Sequence, residues 1–163
     1  MAHGWGLNLC SIHQTVLDES KFAENTEVDT VLQDTMMFFD RHQAVYPVYE
    51  LFQEKLMSQF PETRIKVQKT QISFYNRHLF ACVSFLRIKK KAELPEHYFV
   101  LTLGLPVPLE SNRVAAKTEP YPGRWTTHFV IENSSDLDEE LFRWIEQAYC
   151  FSQEQLRLSQ KSP

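Results

Sequence analysis

The sequence predicts an α+β fold: an antiparallel sheet of four to five strands, with two N-terminal helices and one C-terminal helix packed on it. Three observations carry that expectation. Apolar residues recur at helical spacing before Pro61 and again after Ser135. Between Arg64 and Ile131 they follow strand patterns instead, in KTQISF (Lys69–Phe74), FACVSFLRIKKK (Phe80–Lys91), YFVLTLGLPVPL (Tyr98–Leu109) and PYPGRWTTHFVI (Pro120–Ile131). The strands come as one run rather than alternating with helices, which places the helices together on a sheet face.

The first helix is expected from Thr26, an N-cap with Asp29 three residues on, and its apolar positions are Val28, Val31, Leu32, Met36 and Phe39. Asp40 can cap a second helix whose stripe is Val45, Val48, Tyr49, Phe52, Leu56 and Phe60. Pro47 fits only if that helix starts near Tyr46 and holds the proline in its first turn. In the sheet, Ile65 and Val67 share one parity while Ile72 and Phe74 share the other, so a turn or bulge is expected near Lys69. Asn76-Arg77-His78 reads as a hairpin turn. Leu79–Leu86 and His97–Leu105 are apolar on both faces and read as central strands, the second ended by Pro106 and Pro108. Leu109–Gly123 reads as a long loop that can hold a short strand at Val114–Lys117. Arg124–Glu132 alternates cleanly, Trp125, Phe129 and Ile131 on one side and Arg124, Thr126 and His128 on the other. Ser135 or Asp136 is the expected cap of the last helix, with Leu137, Leu141, Trp144 or Ile145, Ala148 and Phe151 as its buried stripe. The organisation expected is an arm over 1–25, one domain over 26–152 and a polar tail over 153–163.

Composition and motifs narrow the function classes. At 163 residues and 43% hydrophobic, the chain has enough material for one packed core. No apolar run is long enough for a membrane span, and the N-terminus lacks the pattern of a signal peptide. Cys10, Cys82 and Cys150 are far apart and odd in number, which fits a reducing cytoplasm better than a disulfide framework; Cys82 is expected as a small buried apolar residue. His42, His78, His97 and His128 show no metal-binding spacing, and no Walker loop, nucleophile elbow or dinucleotide fingerprint is present. No metal or cofactor is therefore expected.

Charge is the stronger signal. Between Arg64 and Arg124 there are 11 Lys+Arg against 4 Asp+Glu, a local +7, whereas residues 1–63 carry −7 and residues 125–163 carry −4. A basic sheet between acidic helices can neutralise an anionic partner, nucleic acid leading, with aromatic residues available for stacking. The candidate ligand-binding residues are Lys69, Gln71, Arg77, Arg87, Lys117, Arg124 and His128. The competing reading pairs these cations with the acidic helices. A second function class is an enzyme or small-molecule site in a polar cleft around Lys69, Gln71, Lys117, Arg124 and His128. A third is an oligomerisation module exchanging the Trp5–Leu9 arm in a homodimer.

At KTQISF, FACVSFLR, TLGLP, AAKTEPYPGRWTTH and DLDEELFRWIEQAY, the chain resembles a family of small bacterial proteins classed as a domain of unknown function, DUF5655. The likeness spans roughly Phe38 to Ser152. That family also forms the C-terminal module of larger proteins, some labelled as transport or nuclease-associated. It offers no established catalytic residues to carry over to this chain. The closing strand and helix also resemble the MmcQ/YjbR-type fold, which implies a compact antiparallel sheet with a nucleic-acid role.

Overall fold

A computed structural model describes residues 26–161, with side chains described as far as residue 154. The expected Trp5–Leu9 arm and Cys10 lie outside the described residues. The chain divides into two compact units, residues 1–36 and 37–163, and the helical residues 26–38 (α1) lead from one into the other. Thr26, expected as a cap, is already helical. The expected stripe of α1 is not a buried face: Val28 is 65%, Leu32 49% and Met36 55% exposed. Helical period identifies a helix but not whether its apolar side finds a partner.

Phe39, one residue past α1, belongs to the second unit and is fully buried. A 3-10 turn at Gln43–Val45 leads directly into α2 (Tyr46–Gln59), which holds Pro47 in its first turn as expected. There the missing N–H would have had no helical partner. Asp40 does not cap this helix; Val45 occupies the N-cap and supplies no side-chain bond. The Phe60 N–H closes the helix on the Leu56 carbonyl, just before Pro61.

Six strands follow, all antiparallel, in the spatial order β1-β2-β3-β4-β6-β5. They are β1 (Arg64–Val67), β2 (Gln71–Tyr75), β3 (Leu79–Ser84), β4 (Phe99–Leu105), β5 (Val114–Tyr121) and β6 (Arg124–Ile131). The parity change near Lys69 is a turn, closed by the Gln68 N–H on the Gln71 carbonyl at 2.8 Å. Six strands replace the expected four or five, because most of the presumed 109–123 loop is β5. Its small and polar residues carry no alternating apolar signal, since an edge strand has little to bury. Pro120 sits near its end, where an edge tolerates a missing donor. Gly123, at φ 79°, closes the β5–β6 hairpin.

Cross-strand register sorts the two faces. Ile72, Phe74, Ala81, Val83, Leu101, Leu103, Phe129 and Ile131 are buried on one face, beneath α2 and α3 (Glu139–Lys161). Phe52 of α2 anchors this core, with its ring 5.5 Å from Phe74, 6.2 Å from Phe99 and 6.3 Å from Phe142. From α3, Tyr149 meets Phe80 at 5.2 Å and Trp144 stacks on Phe129 at 5.3 Å. Ile145, not Trp144, occupies the fully buried stripe position beside Leu141 and Ala148.

The start of α3 differs from expectation. Asp136 closes a 3-10 turn (Ser134–Asp136), accepting from the Glu132 and Asn133 N–H groups at 2.9 and 3.0 Å. Asp138 then caps α3, accepting from the Leu141 N–H at 3.0 Å. Arg113 bonds both segments, reaching Asp138 at 2.7 Å and the Asp136 carbonyl at 2.6 Å. The polar residues 153–161 continue α3. Among the described residues, no helix is long and apolar enough to cross a membrane.

Candidate functional site

The face opposite the helices carries one polar row running across the whole sheet. Register aligns Lys66, Ser73, Cys82, Thr102, His128 and Ala116. The Thr102 hydroxyl lies 2.8 Å from His128 Nδ1 and also hydrogen-bonds Cys82. Cys82 is therefore not a core residue: it is half-buried on this face beside a hydroxyl. Burial pushes its thiol pKa up, opposed by the Thr102 bond, so the thiol stays protonated. Burial also holds His128 below the usual imidazole range, so it is neutral at physiological pH. Neutral histidine, hydroxyl and thiol in a line form a hydrogen-bonded row rather than an activated nucleophile.

The candidate residues from the sequence do not form one cluster. Gln71 and Arg124 line a shallow cavity of about 190 Å³ with Cys82, Thr102, Gly104 and Thr126. The guanidinium of Arg124 lies over Gly104, where an added Cβ would meet Nη2 at 3.2 Å, and beside Tyr121, 5.8 Å from ring centre to Cζ. Lys117 registers with the fully buried Thr127 and so belongs to the helix side at the β5 edge. There its ammonium is bound by Glu110 at 2.6 Å and by the Leu109 carbonyl at 3.1 Å. Arg77 lies at the β2–β3 turn, in a cavity shared with Glu62, Arg64 and Gln153. Arg87 is exposed in the β3–β4 connection.

Lys69 leads to a larger feature. A groove of about 520 Å³ runs between the segment 37–42 and the end of the sheet formed by the β1–β2 turn and the last residues of β3. Arg41 and Lys69 line it, with Asp40 as the one carboxylate among the described residues. Neither cation has an ion-pair or hydrogen-bond partner among the described residues. Gln71 and Ser84, cross-strand partners on the sheet, supply polar groups. One wall is a three-ring stack. The Phe85 ring lies between His42, at 3.7 Å and 17°, and Phe38, at 5.0 Å and 24°. The buried Phe39 ring meets Phe85 edge-on at 5.3 Å and fixes the stack against the core. His42 is held neutral, by burial first and then by His97 and the neighbouring Arg41.

Sequence reasoning found Lys69 and Gln71 but missed Arg41, His42, Phe38 and Phe85. These four sit at the end of α1, in and just past the turn after it, and just past β3, two stretches distant in sequence. The available signal was FFDRH (Phe38–His42), a basic-aromatic cluster within an acidic segment.

Residues 35–152 match the family described as Domain of unknown function (DUF5655). The chain belongs to this family. The DUF5655 match begins at Thr35, two residues before the second compact unit, and takes in both walls of the groove and all six strands. No curated protein and no solved structure matches the chain. Among the described residues of this DUF5655 domain, no group of three or more His, Cys, Asp or Glu side chains is placed to hold a metal ion.

Proposed function

We propose that this DUF5655 domain is a binding module, and that its ligand is an anion seated in the groove between segment 37–42 and the β1–β2 turn. The observation that carries the reading is the placement of two cations, Arg41 and Lys69, that have no ion-pair or hydrogen-bond partner among the described residues, on a cavity with an aromatic wall. The volume of about 520 Å³ falls within the usual range for ligand sites. A mostly apolar lining with a few charged groups binds by burying the ligand body and orienting its charge. The exposed Met37 and Leu86 add apolar surface at the same place.

The test is a titration with octyl phosphate and with phenyl phosphate, followed by backbone amide shifts. Shifts are expected at Lys69–Gln71, Phe85 and Leu86, weakening as salt rises from about 50 to about 200 mM. An Arg41→Glu/Lys69→Glu variant is expected to lose them. Shifts elsewhere, or binding indifferent to both salt and the double substitution, would overturn the reading.

A further inference from the structure

The geometry points to a nucleotide unit, base against the aromatic stack and phosphate between Lys69 and Arg41, as the anion that this groove takes. The inference rests on the anion-binding reading above and adds the identity of the ligand's apolar part. His42 and Phe38 each lie within 24° of parallel to Phe85, and all three line the groove. Flat, parallel rings offer a face to a planar heterocycle, whereas an alkyl chain gains nothing from their alignment. Phe39 braces the stack: it is buried beneath it and meets both Phe38 and Phe85 edge-on, at 5.3 Å in each case. Because Phe85 is covered by both neighbours, a base would stack on the outer face of an end ring, His42 or Phe38, at a reduced cost of ordering it on binding.

The polar groups agree with this division. Among the described residues Arg41 and Lys69 supply two positive charges against one carboxylate, Asp40, which suits a phosphate rather than a neutral nucleoside. Gln71 and the Ser84 hydroxyl supply donors and acceptors of the kind that read a ribose or a base edge. A nucleotide unit comes from two sources, a free mononucleotide or the phosphorylated end of a single strand. The recognition chemistry is the same in both.

The experiment compares AMP, adenosine, inorganic phosphate, octyl phosphate and a short 5′-phosphorylated single-stranded oligonucleotide, using amide shifts on the full chain. AMP is expected to shift the Lys69–Gln71 and Phe85 amides, with adenosine and phosphate each weaker by about tenfold or more. His42→Ala is expected to weaken AMP by about tenfold while leaving octyl phosphate nearly unchanged. Lys69→Glu weakens both. An oligonucleotide that binds more tightly than AMP assigns the unit to a strand end; equal or weaker binding assigns it to the free mononucleotide. Octyl phosphate binding without AMP or oligonucleotide binding overturns the nucleotide inference and leaves the anion reading standing. If nothing shifts the groove amides, both fall.

Discussion

Phe52 shows how much one side chain can hold together in this molecule. It sits at 0% exposure and touches the rings of Phe74, Phe99 and Phe142, so it joins α2 to the sheet and to α3. Phe52→Ala is expected to lower stability by about 3–5 kcal/mol, read from chemical denaturation, because the three surrounding rings cannot close the cavity. His42 and His128 make the stability pH-dependent. Burial lowers both pKa values below the ordinary 6.5. As the pH falls through 6.5 the unfolded chain binds more protons than the folded one, so stability drops with it. Denaturation midpoints should decline between about pH 7.5 and about pH 5, and a His42→Gln/His128→Gln variant should lose most of that slope. An unchanged slope in the variant would place the titrating groups elsewhere.

Element boundaries rest on a few local bonds. Asp138 caps α3 and also receives Arg113, which keeps its carboxyl below the usual carboxylate range. Asp138→Ala is expected to cost about 1 kcal/mol, the worth of a lost N-cap, as a lowered thermal midpoint. At the β5–β6 turn, Gly123 has φ 79° and open space around its Cβ position. Gly123→Ala there costs about 1–2 kcal/mol through backbone strain alone, since nothing is displaced. Amphipathic elements such as α2 and β6 were legible because burial on one side leaves a period in the sequence. β5 was legible only in its first half, Val114–Lys117, because an edge strand of Val, Ala, Lys, Thr, Glu, Pro and Tyr leaves almost none. The α3 cap was misplaced by two residues or more because Asn133-Ser134-Ser135-Asp136 holds several capping residue types in a row, and only hydrogen bonds distinguish a 3-10 turn from a helix start.

Across the whole molecule, the charge segregation read along the chain is only partly a surface in space. Lys117 and Arg113 are ion-paired, to Glu110 and to Asp138 with Glu140. Lys69 has no ion-pair partner among the described residues and lines the groove together with Arg41, a residue from the acidic N-terminal stretch. Replacing both groove cations by Glu is expected to change stability by no more than about 0.5 kcal/mol, so a loss of ligand binding in that variant would report on the site. By itself the sequence determined the α+β class, the run of antiparallel strands, the position of Pro47 in α2 and the family, because each is written in local period, turn chemistry or motif. The groove was decided only by the tertiary structure. Its wall is built from Phe38 at the end of α1, His42 just past the following turn and Phe85 more than forty residues later, and tertiary packing, with Phe39 edge-on to Phe38 and Phe85, brings them into one stack.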